Sequence, residues 1–239
     1  MKIIFKALDK KHQDYMGIPK PTKTLIPEWF KKIPMYASGL NAEPKLKLAK
    51  EYGTNMTVRK CVPFTDAMTM GYTVELPCEV VLEQNKNGYD IDWKLNANVF
   101  SLHQANSIMI EPPYGYHKHI SKYNWGTIPL TPKGYSTLVL PSLIEHDSPF
   151  KAVPAIIDTD VSEFSFSLPV WVSDHHEGVI RIGTPIAQLL PFKRDNWNMS
   201  TDYWADGEYD VLRDISFARK VAKKRFQITI CYNPSSWII

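Results

Sequence analysis

The chain is poor in cysteine, in net charge and in long apolar runs. Among 239 residues the only cysteines are Cys61, Cys78 and Cys231, with no Cys-x-x-Cys spacing. An odd, scattered set excludes a disulfide framework and a zinc knuckle, and suits a reducing compartment. No window reaches the roughly 18 apolar residues that a membrane helix needs. Lys6 and Asp9 break the N-terminal apolar run that a signal peptide would require. The formal charge of +3 is too small to argue for a nucleic-acid partner. The basic runs at 45–50 and 218–226 read as solvated helix faces. These absences describe a soluble, intracellular-type protein.

Glycine is scarce too, with 11 against 18 prolines. Proline removes a backbone donor and breaks helix interiors, so this balance favours short strands and rigid loops over a helical bundle. A hydrophobic fraction of 44% and a charged fraction of 22% are those of a globular chain with a core.

The pattern predicts three regions. Residues 1–56 read as a proline-rich N-terminal arm with short helices: a strand-like start, a helical turn or two opening at Pro27, and a second helix over 43–52 ended by Gly53. Residues 57–197 read as a β-rich core, with strands at 57–64, 71–84, 89–100, 135–143, 155–160, 163–172, 178–182 and 185–192. The "NKNG" at 85–88 is a hairpin signal, and 111–134 reads as loop. Phe164, Phe166 and Leu168 alternate with Ser165 and Ser167, as a half-buried strand requires. Residues 198–239 read as an aromatic, acidic connector, a helix over 210–224 and an apolar arm. The helix is marked by Val211, Leu212, Ile215, Ala218 and Val221 on one stripe. Three large apolar residues close the arm (Trp237, Ile238 and Ile239), which predicts that it packs on the core or on a neighbouring subunit.

Several residues could carry chemistry. Asp158 and Asp160 in "AIIDTD" have the spacing of a general base or metal pair, and equally of a turn at a strand end, where aspartate accepts backbone N–H bonds. His117 and His119, two apart, could ligate a metal together with Glu111, and "DHHEG" at 174–178 adds His175 and His176. Both clusters fall in predicted loops, where histidine is simply solvated. Cys61 could be a nucleophile but reads as a small core residue of an alternating strand. The aromatics Trp125, Trp197, Tyr203 and Trp204 lie in predicted loops without interleaved Lys or Arg. That is the composition of a protein contact rather than a base-stacking platform.

"AIIDTD" (155–160) and "IRIGTPIAQLLPF" (180–192) resemble the third and fourth motifs of the dUTPase/dCTP deaminase superfamily, whose fold is a distorted β-barrel. "DAMTMGYTVELPCEVVL" (66–82) and "TPKGYSTLVLPSL" (131–143) are poorer likenesses of the first two motifs. The resemblance implies a dUTPase-like barrel or sandwich, assembly as a trimer, and roles for Asp158 at a water and sugar and for Gln188 near phosphate. Val161 stands where the family has a sugar-stacking aromatic, Pro185 where it has an arginine, and "LPSL" lacks the phosphate-gripping arginine. Triphosphate chemistry depends on positioning and neutralising negative charge, so the expected function is non-catalytic, without a cofactor. The alternative is a deoxynucleotide triphosphate hydrolase or deaminase using Asp158, Asp160, Gln188 and magnesium.

Over its whole length the chain also resembles an uncharacterised family of tailed phages, notably those of marine cyanobacteria. It shares "IPEWFKKI", "TVRKCVPFTDAMTMGY", "TPKGYS", "IIDTD" and "GTPIAQLLPFKRDNW" in order. This resemblance implies a virion component or a host-protein binder, placed in the virion or the infected host cytoplasm. Its expected partner is another protein or a second copy of itself, not a membrane or a nucleic acid.

Overall fold

A computed structural model describes residues 1–35, 57–103, 110–161 and 167–216. They form two compact units, residues 2–193 and a second built from 194 onward together with Met1.

The larger unit is mainly β. Its strands are β1 (Ile4–Ala7), β2 (Lys20–Pro21), β3 (Tyr72–Glu75), β4 (Val80–Asn85), β5 (Gly88–Trp93), β6 (Phe100–Leu102) and β7 (Tyr116–Tyr123). After these come β8 (Thr127–Leu130), β9 (Tyr135–Pro141), β10 (Phe150–Ala152), β11 (Ala155–Ile157), β12 (Leu168–Ser173), β13 (Gly178–Ile180) and β14 (Pro185–Lys193). They pair antiparallel in four sheets, ordered β1-β8, β10-β12-β7-β6, β11-β9-β14-β3-β2 and β13-β4-β5. Among the described residues no sheet closes on itself, so the predicted barrel is not what these strands build. The sheets share one apolar core, which includes Val74, Leu82, Phe100, Tyr123, Val139, Phe150, Val170, Ile186 and Leu189. Burial pushes the Tyr123 phenol far above its ordinary range, and its hydroxyl donates to the Glu75 carbonyl at 2.9 Å.

Local chemistry explains most of the elements. The predicted hairpin is β4–β5, turning at Lys86 and Asn87, where the Asn87 N–H donates to Asn85 Oδ1 at 2.9 Å. Helix α1 (Lys10–Met16) is capped by Asp9, whose carboxylate accepts the His12 N–H at 2.7 Å, and it ends at Gly17 with φ 68°. Helix α2 (Glu28–Lys32) has Pro27 at its N-cap, one position before the predicted one.

The N-terminal stretch is less an arm than part of the scaffold. β1 pairs with β8 and β2 pairs with β3, so both strands are bound into sheets with the core. The helix predicted over 43–52 and residues 163–166 of the strand predicted over 163–172, Phe164, Ser165 and Phe166 among them, lie outside the described residues. Leu168, the next residue of that alternation, is buried.

Two segments differ from the pattern-based expectation. Residues 57–64, predicted as a strand, form a 3-10 turn (Val58–Lys60) followed by helix α3 (Val62–Thr69). The period-2 alternation there is accidental. Pro63 has no N–H for a ladder but fits a first helical turn. Phe64 and Met68, four apart, pack with Phe30 and Ile144 in a second apolar cluster. Cys61 is therefore an exposed N-cap and not a core residue of a strand. Residues 111–134, predicted as loop, contain β7 and β8. The run "HKHISKY" shows no apolar alternation, because only Ile120, Ser121 and Tyr123 are buried in β7.

In the second unit the chain is helical over 208–216, which fits the predicted C-terminal helix. An Arg213–Asp210 ion pair at 2.8 Å spans one turn. Its apolar residues Val211, Leu212 and Ile215 are exposed. The terminal Trp237, Ile238 and Ile239 lie outside the described residues. No described helix is long and apolar enough to cross a membrane.

Candidate functional site

The aspartate pair closes a turn. Beyond β11, the Asp158 carboxylate accepts the Ser136 hydroxyl at 2.6 Å, and the Asp160 carboxylate accepts the Gly134 N–H at 2.7 Å. Between them, buried Thr159 places its hydroxyl 2.7 Å from that of Thr131 and 3.0 Å from that of Thr137. The two carboxylates thus tie the end of β11 to β9 and to the turn before it, as strand-end aspartates do. Val161, where the resembled family has its aromatic, is exposed.

Gln188 lies elsewhere. It is fully buried in the middle strand β14, and its amide donates to the carbonyls of Met70 at 2.6 Å and Ala67 at 3.3 Å. Its Oε1 accepts the Leu143 N–H at 3.3 Å. Gln188 therefore satisfies the carbonyls left over at the end of α3, with every polar atom engaged inside the protein. In register, Ile157 faces Thr137, which faces Pro191. Asp158 and Gln188 are then separated by four residues of strand, roughly 13 Å, as well as two strand spacings. The two residues do not converge on one site.

The aromatic residues divide. Trp125 is 2% exposed and belongs to the core. This corrects its assignment to a contact surface: it sits between β7 and β8, where the chain turns inside the sheets. Trp197 at 92%, Tyr203 at 90% and Trp204 at 58% are open to solvent, as are Met199 and Tyr209. Sequence position could not separate these groups, because both fall in polar, turn-rich stretches.

His117 and His119 do not form a ligand pair with Glu111. The His117 Nε2 lies 2.6 Å from Gln84 Oε1, and its ring packs 5.1 Å from that of Tyr89. Burial holds the His117 imidazole below the ordinary histidine range. Glu111 instead faces Lys118 at 3.9 Å.

A different histidine pair is drawn together with an acid. Among the described residues, Asp147, His175 and His176 bring one ligating atom each to within 4.8 Å of one another. The His175 Nε2 is 3.1 Å from Asp147 Oδ1, and the His176 Nε2 is 3.7 Å from Asp147 Oδ2. On the opposite ring edges, the His175 Nδ1 lies 2.9 Å from Ser173 Oγ and 3.2 Å from Asp174 Oδ1, and the His176 Nδ1 lies 2.8 Å from Ser173 Oγ. Hydrogen bonding to Asp147, then to Asp174, raises the His175 imidazole above its usual range. The His175 bond first, and then the nearby His176, lower the Asp147 carboxyl.

Strand pairing creates this cluster. In the β10–β12 ladder Phe150 faces Val172. Asp147 lies in the bend before β10 and His175 in the bend after β12, so the pairing of these two strands brings the bends to one end of the sheet. A register shift between Trp171 and Ser173 marks an irregularity at the end of β12, the kind of defect that re-aims side chains. Ser173 is fully buried there with its hydroxyl under both rings. Gln84 of β4 holds the backbone on either side, its amide donating to the Ser173 carbonyl at 3.0 Å and the His176 carbonyl at 2.6 Å. Gly115, with φ 82°, lies under the His175 ring, where a Cβ would stand 3.5 Å from it, and its carbonyl accepts the Asp174 N–H at 3.0 Å. The motif "DHHEG" was visible in the sequence, but Asp147 lies 28 residues upstream and only the ladder register joins them.

A scan of family models finds none that matches the chain, and a search of curated proteins finds no match either.

Proposed function

We propose that this chain is a non-catalytic phage protein, a virion component or host-protein binder. It acts through protein contacts on an antiparallel β scaffold of the dUTPase type. One observation carries the reading: the run from Trp197 to Tyr209 presents Trp197, Met199, Tyr203, Trp204 and Tyr209 to solvent within a few turns of chain. Large aromatic side chains left in water forgo roughly 1.5–3 kcal/mol each, and clustered exposure of this kind marks an interaction surface.

The contact best suited to it is a second copy of the chain. Residues 195–214 carry Asp195, Asp202, Asp206 and Glu208, with Asp210 and Asp214 paired with Arg213, while Arg219, Lys220, Lys223, Lys224 and Arg225 follow closely in sequence. Two copies meeting through these stretches match acid against base around an aromatic centre. The scaffold's own polar residues support the non-catalytic part of the reading, since Gln188, Asp158 and Asp160 are engaged in holding strands and turns.

The test is native mass spectrometry of the full chain beside the variant Trp197→Ser/Tyr203→Ser/Trp204→Ser. The parent is expected as an oligomer and the variant as a monomer with an unchanged circular dichroism spectrum. A monomeric parent, or a variant that keeps its mass, removes self-association. The rival enzyme reading is checked separately. Protein with magnesium is expected to leave dUTP and dCTP intact, and turnover lost in Asp158→Asn would establish the rival.

A further inference from the structure

We propose that Asp147, His175 and His176 form a binding site for a divalent transition-metal ion of the zinc type, closing the loop before β10 onto the turn between β12 and β13. The proposal is independent of the protein-contact reading, because it needs only residues of the β unit.

Ligand chemistry selects the class of ion. Two imidazoles and one carboxylate suit zinc and its neighbours, whereas magnesium and calcium prefer all-oxygen shells. Geometry comes next. Zinc bonds of about 2.0–2.2 Å in a tetrahedron put ligand atoms about 3.3–3.6 Å apart. The two histidine-to-carboxylate distances, 3.1 and 3.7 Å, already bracket that edge. All three donors fall within 4.8 Å, so small rotations of exposed side chains complete the set. Three protein ligands leave a fourth position toward solvent, the arrangement of zinc sites that keep a bound water.

The surroundings are those of a prepared site and not of two loop histidines. Metal-bound histidine characteristically donates its far ring N–H to a carboxylate or another fixed acceptor, which sets the tautomer and aims the near nitrogen. Here both Nδ1 atoms face Ser173 Oγ, and that of His175 also faces the Asp174 carboxylate. Ser173 is buried and cannot turn away freely. When the His175 Nδ1 donates to Asp174 and the His176 Nδ1 to Ser173 Oγ, both Nε2 lone pairs stand beside the Asp147 carboxylate, and a cation there replaces the proton that otherwise bridges His175 and Asp147. Gln84 fixes the backbone that carries the pair through its bonds to the Ser173 and His176 carbonyls, so the rings are aimed before any ion arrives.

The experiment is titration of the metal-free full chain with Zn²⁺ by calorimetry, repeated with Co²⁺ to record the visible spectrum. Expected are one equivalent bound, a Co²⁺ spectrum of nitrogen and oxygen ligands without a thiolate charge-transfer band, and a thermal midpoint raised by Zn²⁺. His176→Ala and Asp147→Asn should each weaken binding at least tenfold and cancel the thermal shift. Asp174→Asn, which removes only the outer carboxylate, should weaken it by about 10- to 100-fold. Asp147, His175 and Asp174 lie at the surface, and circular dichroism of each variant confirms that the fold is kept. The proposal is overturned if the parent binds no Zn²⁺, if a thiolate spectrum shows that a cysteine is the binder, or if His176→Ala and Asp147→Asn bind as tightly as the parent.

Discussion

Gly71→Ala is expected to leave the protein barely folded. Gly71 has φ 68°, a conformation that costs alanine on the order of 1 kcal/mol by itself. The larger problem is space. A Cβ at this position would stand 2.1 Å from the carbonyl oxygen of Leu189. That oxygen has nowhere to go, because Leu189 lies in β14 with Tyr72 of β3 on one side and Val139 of β9 on the other. The Gly71 carbonyl meanwhile accepts the Thr22 N–H at 3.0 Å and so anchors the N-terminal segment. Moving either backbone disturbs three strands at once. The expected loss is on the order of 4 kcal/mol or more, in the range reserved for backbone strain combined with overpacking. Urea unfolding measures it, and a midpoint close to the parent's would show that the sheet yields at this point.

Gln188→Met is expected to be the next most damaging change. The substitution keeps length and volume and removes the amide, so packing alone does not explain its effect. It leaves the part-buried carbonyls of Met70 and Ala67, and the N–H of the exposed Leu143, without the partner that Gln188 supplies. Each buried group left without a partner costs about 1–3 kcal/mol, which makes about 3 kcal/mol or more in total. Denaturant unfolding is again the measurement. A variant as stable as the parent would show that Gln188 is not a structural tie, and would return it to the list of residues free to meet a ligand.

The two changes show what was and was not legible in the sequence. Local signals are legible: the "NKNG" turn joins β4 to β5, and the strands expected over 135–143 and 185–192 are β9 and β14. Their warrant is short-range, a turn chemistry or a side-chain period that needs no knowledge of partners. The misreadings share a different cause. The alternation at 57–64 was overridden by Pro63 and by the packing of Phe64 and Met68 against Phe30. β7 was missed because its position between β12 and β6 supplies the pairing that its polar residues do not announce. Asp158 and Gln188 looked like a site because they stand in neighbouring motifs, and strand register then carried them apart. Pairing of β10 with β12 brings the bend of Asp147 to that of His175. A candidate site built by ladder geometry is invisible until the pairing is known, however plain its individual residues are.

β14 has one further consequence, for the order in which the molecule is made. It is the last strand of its unit in sequence, yet it lies in the middle of the five-stranded sheet, between β9 and β3. A nascent chain that has not reached Pro185 holds the β9–β11 pair and the β2–β3 pair as separate fragments, each with a bare edge facing the gap. Bare strand edges template pairing with other chains, and partners this distant in sequence are slow to find one another. Insertion of one late strand seals both edges together. The sheet therefore matures in a single closing step once β14 has been made, and the interval before that step is when the chain is most exposed to misassembly.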